Sequence, residues 1–168
     1  MGLYLAYDSD FQAARQGQED PRPQLLLAVR PEDVAMSKGI LGEEFNAVFC
    51  HSYAEACAQL KNDVRLVTCG VHFDNGRVFD LLRFVRENPR TANLPFFILL
   101  GAGSRYSPAI VQGIRAAAKL LKVTAFTDLT RFSDKLGTSA SIDALRQGIR
   151  DAIAAQPPLD TSRSTVAG

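Results

Sequence analysis

VRLVTCGVHFDNGRVFDLLRFVRENPRTANLPFFILLGAGS, residues 64–104, is the stretch that decides the fold. It opens on an apolar run, Val64 to Cys69, as expected of a strand buried on both faces. Asp74-Asn75-Gly76 is a turn signature. Val78, Leu81, Leu82 and Val85 then recur at i, i+3, i+4 and i+7, the stripe of an amphipathic helix, which Asn88-Pro89 stops. Pro95 to Leu100 is the next apolar run, closed by Gly101-Ala102-Gly103. The stretch therefore reads strand, helix, strand.

The same alternation continues outward in both directions. Upstream, Leu25-Leu26-Leu27-Ala28-Val29 predicts a first strand. Pro31 begins a helix to Leu41 that Gly42 can close, with Glu32 and Asp33 complementing its dipole. Asn46 to Cys50 predicts a second strand, and Ser52-Tyr53-Ala54-Glu55 a capping box. Downstream, Ser107-Pro108 starts a helix with Ile110, Val111, Ile114, Ala118 and Leu121 as its buried stripe. Val123 to Phe126 predicts the fifth strand, and Ile142, Leu145, Ile149 and Ile153 the face of a last helix. Strict alternation implies an α/β fold with a parallel sheet covered on both faces. Its compactness fits the flavodoxin-like, doubly wound strand order 2-1-3-4-5.

The boundaries follow from composition. Residues 1–23 carry Arg15 to Pro23, polar and broken by prolines, and read as a tail and linker. Residues 24–155 make the domain. Gln156-Pro157-Pro158 ends the last helix, and residues 156–168 read as a disordered tail. Nineteen Lys and Arg against eighteen Asp and Glu give a net charge of +1, so no basic field points to nucleic acid. Three widely spaced cysteines, Cys50, Cys57 and Cys69, imply no disulfide framework. No run of about 18 apolar residues is present, so no membrane span is expected. Gly2 to Tyr7 is too short for a signal-peptide core, which leads to the expectation of a cytoplasmic protein with reduced thiols.

Residues 64–104 resemble the third strand, third helix and fourth strand of bacterial response-regulator receiver domains. The likeness is carried by Leu81-Leu82-Arg83-Phe84-Val85-Arg86 and by the turn Pro89-Arg90-Thr91-Ala92-Asn93-Leu94-Pro95. The topology is consistent over residues 24–155. The resemblance implies a phospho-accepting Asp at the end of the third strand, a Mg²⁺-binding acidic pair after the first, a Thr or Ser after the fourth and a Lys after the fifth. Here those places fall on Gly70, on Val29 and Arg30, on Leu100, and on Thr130 or Arg131. Only Arg131 would keep a positive charge.

Accepting a phosphoryl group needs a carboxylate, and Mg²⁺ to neutralise the developing charge. Gly70 offers no nucleophile. Arg30 puts a cation where the metal would sit, a repulsion of several kcal/mol at about 5 Å and an effective dielectric of about 20. The expectation is a pseudo-receiver that is not phosphorylated on aspartate, with no catalytic residue, metal or cofactor.

Other residues offer weaker chemistry. Cys69 and His72 form Cys-x-x-His, and Cys50-His51 ends the second strand, but the two pairs would lie about 10 Å apart, too far for one zinc ion. Gly101 to Ser104 lacks the Lys-Ser/Thr ending of a phosphate-binding loop and reads as a connector. Asp74 reads as a turn residue, with a ligand contact as the alternative. Arg83, Arg86 and Arg90 read as a solvated helix face. One helical stripe cannot bury Phe79, Leu81, Leu82, Phe84 and Val85 together, so Phe79 or Phe84, with Arg83 and Arg86, is the expected interface. Gly113 and Ala116-Ala117-Ala118 make the fourth helix a second candidate for helix-to-helix contact.

The leading expectation is a stand-alone signalling adaptor that docks a protein partner or a second copy. No attached helix-turn-helix is expected, the segment after the last helix being too short for one. The alternative is a small-molecule or anion sensor using the crevice at the ends of strands one and three. Arg30, His72, Asp74, Ser104 and Arg131 would line it.

Overall fold

The computed structural model describes residues 20–101, 104–131 and 137–157. Strands β1 (Gln24–Ala28), β2 (Asn46–Cys50), β3 (Leu66–Gly70), β4 (Phe96–Leu100) and β5 (Ala125–Asp128) form one parallel sheet in the order β2-β1-β3-β4-β5. The expected flavodoxin-like topology is therefore the observed one. Between the strands run α1 (Val34–Leu41), α2 (Tyr53–Gln59), α3 (Val78–Glu87) and α4 (Pro108–Leu120), and α5 (Thr138–Ala154) follows β5.

Strand periodicity divides the core in two. Leu26, Ala28, Val67, Cys69, Phe96, Ile98 and Leu100 face one side, under α2, α3 and α4. Leu25, Leu27, Leu66 and Phe97 face the other, under Leu41 of α1 and Leu145 and Ile149 of α5. The central strands β1, β3 and β4 are nearly all buried, whereas β5 at the edge is half-exposed along its length. Among the described residues, no helix is long and apolar enough to cross a membrane.

The helix ends follow the local chemistry. A 3-10 turn at Pro31–Asp33 feeds α1, and Gly42, with φ 62, closes it by donating its N–H to Lys38. Ser52 caps α2 by accepting from the Glu55 N–H at 3.2 Å. Glu55 reaches back one residue further than a standard capping box, to the His51 N–H at 2.8 Å. Ser107 caps α4 in the same way, with Pro108 in its first turn.

Three expectations need correction. The fifth strand begins at Ala125 rather than Val123, because the Val123 N–H still closes α4 on the Ala118 carbonyl and Lys122 turns the chain at φ 57. Ile110, expected in the buried stripe of α4, is 49% exposed, since α4 rests on the sheet only through its other side. Gln156, assigned above to the tail, donates its amide to the Arg65 carbonyl at 2.7 Å and so belongs to the domain. Residues 1–19 and 158–168 of the two tails, and Ala102 and Gly103 of the Gly101–Ser104 connector, lie outside the described residues.

Candidate functional site at the strand ends

Ala28 is in register with Cys69, so Val29 and Gly70 lie side by side just beyond that pair. This is the crevice at the carboxyl ends of the strands where open α/β sheets bind ligands. Val29 is buried, and its carbonyl is engaged by His51 Nδ1 at 2.8 Å. Gly70 needs no special backbone. A Cβ there would find its nearest neighbour, the Ala28 carbonyl oxygen, at 3.9 Å, so a side chain is sterically allowed and simply absent.

Arg30 is held by its own loop. Its Nε and Nη2 donate to the two Asp33 carboxylate oxygens at 2.8 and 3.2 Å, and Nη1 lies 3.5 Å from Glu32 Oε1. The bond to Asp33 is the main reason the guanidinium holds its proton more tightly than usual. Leu100 ends β4 and packs into the core on the α2/α3/α4 side. β5 ends at Asp128, opposite Leu100. Thr130 and Arg131 therefore lie beyond the strand end. The Arg131 N–H donates to Asp128 Oδ1 at 3.3 Å, and its Nε lies 3.8 Å from Oδ2.

A cavity of about 370 Å³ opens at this crevice and runs down the α1/α5 face of the sheet. Of the five side chains expected to line one site, Arg30, His72 and Ser104 meet here. His72 Nε2 is 3.3 Å from Ser104 Oγ, and its ring lies against Tyr106 with centroids 4.8 Å apart and planes tilted by 39°. Arg131 lines instead an adjoining recess of about 220 Å³ with Thr130 and Asp128, which shares Gly101, Ser104 and Tyr106 with the cavity. Asp74 lines neither. Its carboxylate accepts the Tyr53 N–H at 2.8 Å and so serves the first turn of α2, and the Asp74-Asn75-Gly76 turn runs through positive φ at all three residues.

The sequence reading missed Thr68, Asp33, Arg105 and Tyr106 at this cavity, and the apolar walls from α1 and α5. Thr68 had a signal: it is the one polar residue between Leu66 and Cys69 in a strand that is otherwise apolar. The others come together only through folding. Among the described residues no group of three or more His, Cys, Asp and Glu side chains is placed to hold a metal ion.

The α3 expectations divide. Phe79 and Phe84 are both half-buried against the core, because α2 and α4 flank α3 and cover the border of its stripe. Phe84 meets the Tyr53 ring edge-on at 6.2 Å. Arg83 is exposed. Arg86 is a structural cross-brace: it donates to the Ala92, Leu94 and Lys122 carbonyls at 3.1, 2.8 and 3.0 Å. Its burial lowers its proton affinity.

No protein-family model matches the chain, and no curated protein does. Solved structures do. A response regulator from Hahella chejuensis superposes with a TM-score of 0.60 at 16% identity, over 80% of this chain and 99% of that one. The signal receiver domain of a signal transduction histidine kinase from Syntrophus aciditrophicus gives 0.60 at 14% identity, over 83% and 96%. A sensor protein from Polaromonas sp. JS666 gives 0.59 at 19% identity, over 80% and 98%. At these identities the likeness is one of fold, and the fold is that of the response-regulator receiver domain.

Proposed function

We propose that this protein is a receiver-type signalling module that works without aspartyl phosphorylation, by docking to a partner protein or to a second copy of itself. The observation that carries the reading is the make-up of the strand-end crevice. Gly70 and Val29 stand side by side without a carboxylate, and the cation of Arg30 is pinned beside them by Asp33. An aspartyl-phosphate cannot form without the carboxylate, and a divalent ion gains nothing from a guanidinium. The fold then serves as a shaped surface rather than a phosphoryl acceptor.

α4 is the favoured docking surface. Ile110, Gly113, Ala117 and Leu120 fall at i, i+3, i+7 and i+10, one face of the helix. Ile110 is 49% and Leu120 83% exposed, and a Cβ on Gly113 would meet nothing within 4 Å. An apolar stripe with a smooth centre permits close helix approach. β5, at the sheet edge, is half-exposed along its length.

The test is incubation of the purified chain with acetyl phosphate and Mg²⁺, read by intact mass. No phosphoryl adduct is expected, and an acid-labile adduct would refute the reading. Light scattering over a range of concentrations reports whether the chain pairs with itself.

A further inference from the structure

The lining of the cavity on the α1/α5 face is unevenly charged. It carries two guanidiniums, Arg30 and Arg105, against one carboxylate, Asp33. Most of its polar groups answer one another. Both Asp33 oxygens accept from Arg30, at 2.8 and 3.2 Å, so that pair is neutral as it stands. Ser37 Oγ donates to the Asp33 carbonyl at 2.8 Å, and His72 Nε2 lies 3.3 Å from Ser104 Oγ. Arg105 is different. It is exposed, and among the described residues no carboxylate comes within ion-pair distance of it. The strand-end rim thus keeps one positive charge open.

Other walls of the same cavity are apolar and within reach of a guest. Leu99 of β4, Leu129 after β5, and Met36 and Ile40 of α1 line it, and each keeps part of its surface exposed, Met36 as much as 43%. The space of about 370 Å³ lies in the range of small-molecule sites. It also continues away from the rim. A second recess of about 350 Å³ between α1 and α5 shares Met36, Ile40, Leu129 and Leu145 with it and adds the half-buried Ile142. A methionine at such a junction adapts readily to an entering chain. One path therefore joins a cationic rim to an apolar recess.

We propose that this cavity binds a small amphiphilic carboxylate. Its head would pair with the Arg105 guanidinium, whose fork of N–H donors matches a carboxylate. Its hydrocarbon chain would lie along Leu99, Leu129, Ile40 and Met36 toward the α1/α5 recess, gaining by the burial of methylenes. Either half alone is a poorer guest. A bare anion meets only the open rim, where water competes, and an uncharged chain leaves Arg105 unanswered. Binding would add a ligand input to a module that lacks a phosphoryl one. The inference stands apart from the phosphorylation reading. Labelling by acetyl phosphate would overturn that reading and leave the cavity untouched, and a failed ligand titration would do the reverse.

Octanoate is a suitable probe, with 1-octanol and acetate as its two halves. The full-length chain, labelled with ¹⁵N, is titrated with each. Saturable shifts clustered at the amides of Met36, Leu99, Arg105 and Leu129 are expected with octanoate. 1-Octanol should move Met36, Leu99 and Leu129 at about fivefold weaker affinity, the factor for one ion pair at an open rim, and acetate should leave these three in place. Arg105→Gln alters an exposed side chain and should leave the fold intact. It should bind octanoate about fivefold more weakly than the parent and 1-octanol equally well. Octanoate shifts that do not saturate, or that fall outside the cavity, would overturn the proposal. So would 1-octanol binding as tightly as octanoate, an unchanged octanoate affinity in Arg105→Gln, or acetate moving the Leu99 and Leu129 amides.

Discussion

The two carboxylate oxygens of Asp33 receive two separate nitrogens of Arg30, Nε at 2.8 Å and Nη2 at 3.2 Å. This forked geometry holds the guanidinium in one orientation across the 3-10 turn that leads from β1 into α1. It also engages Asp33, the one carboxylate among the described residues that line the cavity.

On the proposed reading, a carboxylate placed at Gly70 alone should not accept a phosphoryl group. Gly70→Asp is sterically tolerated, because the Ala28 carbonyl oxygen is 3.9 Å from the new Cβ. The added carboxylate would face Arg30 rather than Mg²⁺. The variant is expected to fold and to stay unlabelled by acetyl phosphate in intact-mass measurements. Labelling of Gly70→Asp would mean that the Arg30–Asp33 pair does not exclude the ion.

Two arginines three residues apart should behave differently. Arg86→Ala removes donors to the Ala92, Leu94 and Lys122 carbonyls, which join the turn before β4 to the turn after α4. Hydrogen bonds from a charged group contribute about 1.5–3 kcal/mol, so a loss of about 2–4 kcal/mol is expected across this set. Arg83→Ala, on the exposed side of α3, should stay within about 0.5 kcal/mol of the parent. Urea denaturation of both variants separates the outcomes. Equal losses would return Arg86 to the solvated face that its spacing first suggests.

The cysteines set a pH dependence. Burial raises the Cys69 thiol well above its ordinary value, and raises Cys50 and Cys57 as well. In the unfolded chain the thiols ionise near pH ~8.5. Above that pH the unfolded state has lost protons that the native state keeps, so stability falls as pH rises. The urea midpoint should drop between about pH 7.5 and about pH 9.5 by more in the parent than in Cys69→Ala. At neutral pH, iodoacetamide followed by peptide mass spectrometry should find half-buried Cys57 modified first and Cys69 last. Early modification of Cys69 would contradict its burial.

The topology was legible because each strand is a short apolar run and each connection carries its own stop. Leu25 to Val29 cannot be half-solvated, and Pro31 and Gly42 bracket the first helix in sequence as they do in space. Periodicity also placed Leu81, Leu82 and Val85 correctly, since burial of α3 depends on its own repeat. It failed where burial is decided by a distant neighbour. Arg86 and Arg83 look alike along the helix, and only the fold brings the Lys122 carbonyl to one of them. Asp74 looked like a turn residue and is one, but its bond to the Tyr53 N–H spans 21 residues and no local pattern encodes it. The cavity at Thr68 was least visible of all, because α1 and α5, which wall it, lie at opposite ends of the domain's sequence.

Docking through α4 gives a separable test. Leu120 is 83% exposed, so Leu120→Lys removes no buried area of the monomer and should move its stability by less than about 0.5 kcal/mol. A charge at one end of the Ile110–Gly113–Ala117–Leu120 stripe would, however, be desolvated in a close helix pair, at a cost of about 1–3 kcal/mol or more. The rise of scattering mass with concentration is therefore expected to weaken in Leu120→Lys while the urea midpoint stays put. Arg83→Ala, on another helix, should leave the mass curve unchanged. If Leu120→Lys pairs as readily as the parent, α4 is not the contact, and the half-exposed β5 becomes the surface to alter next.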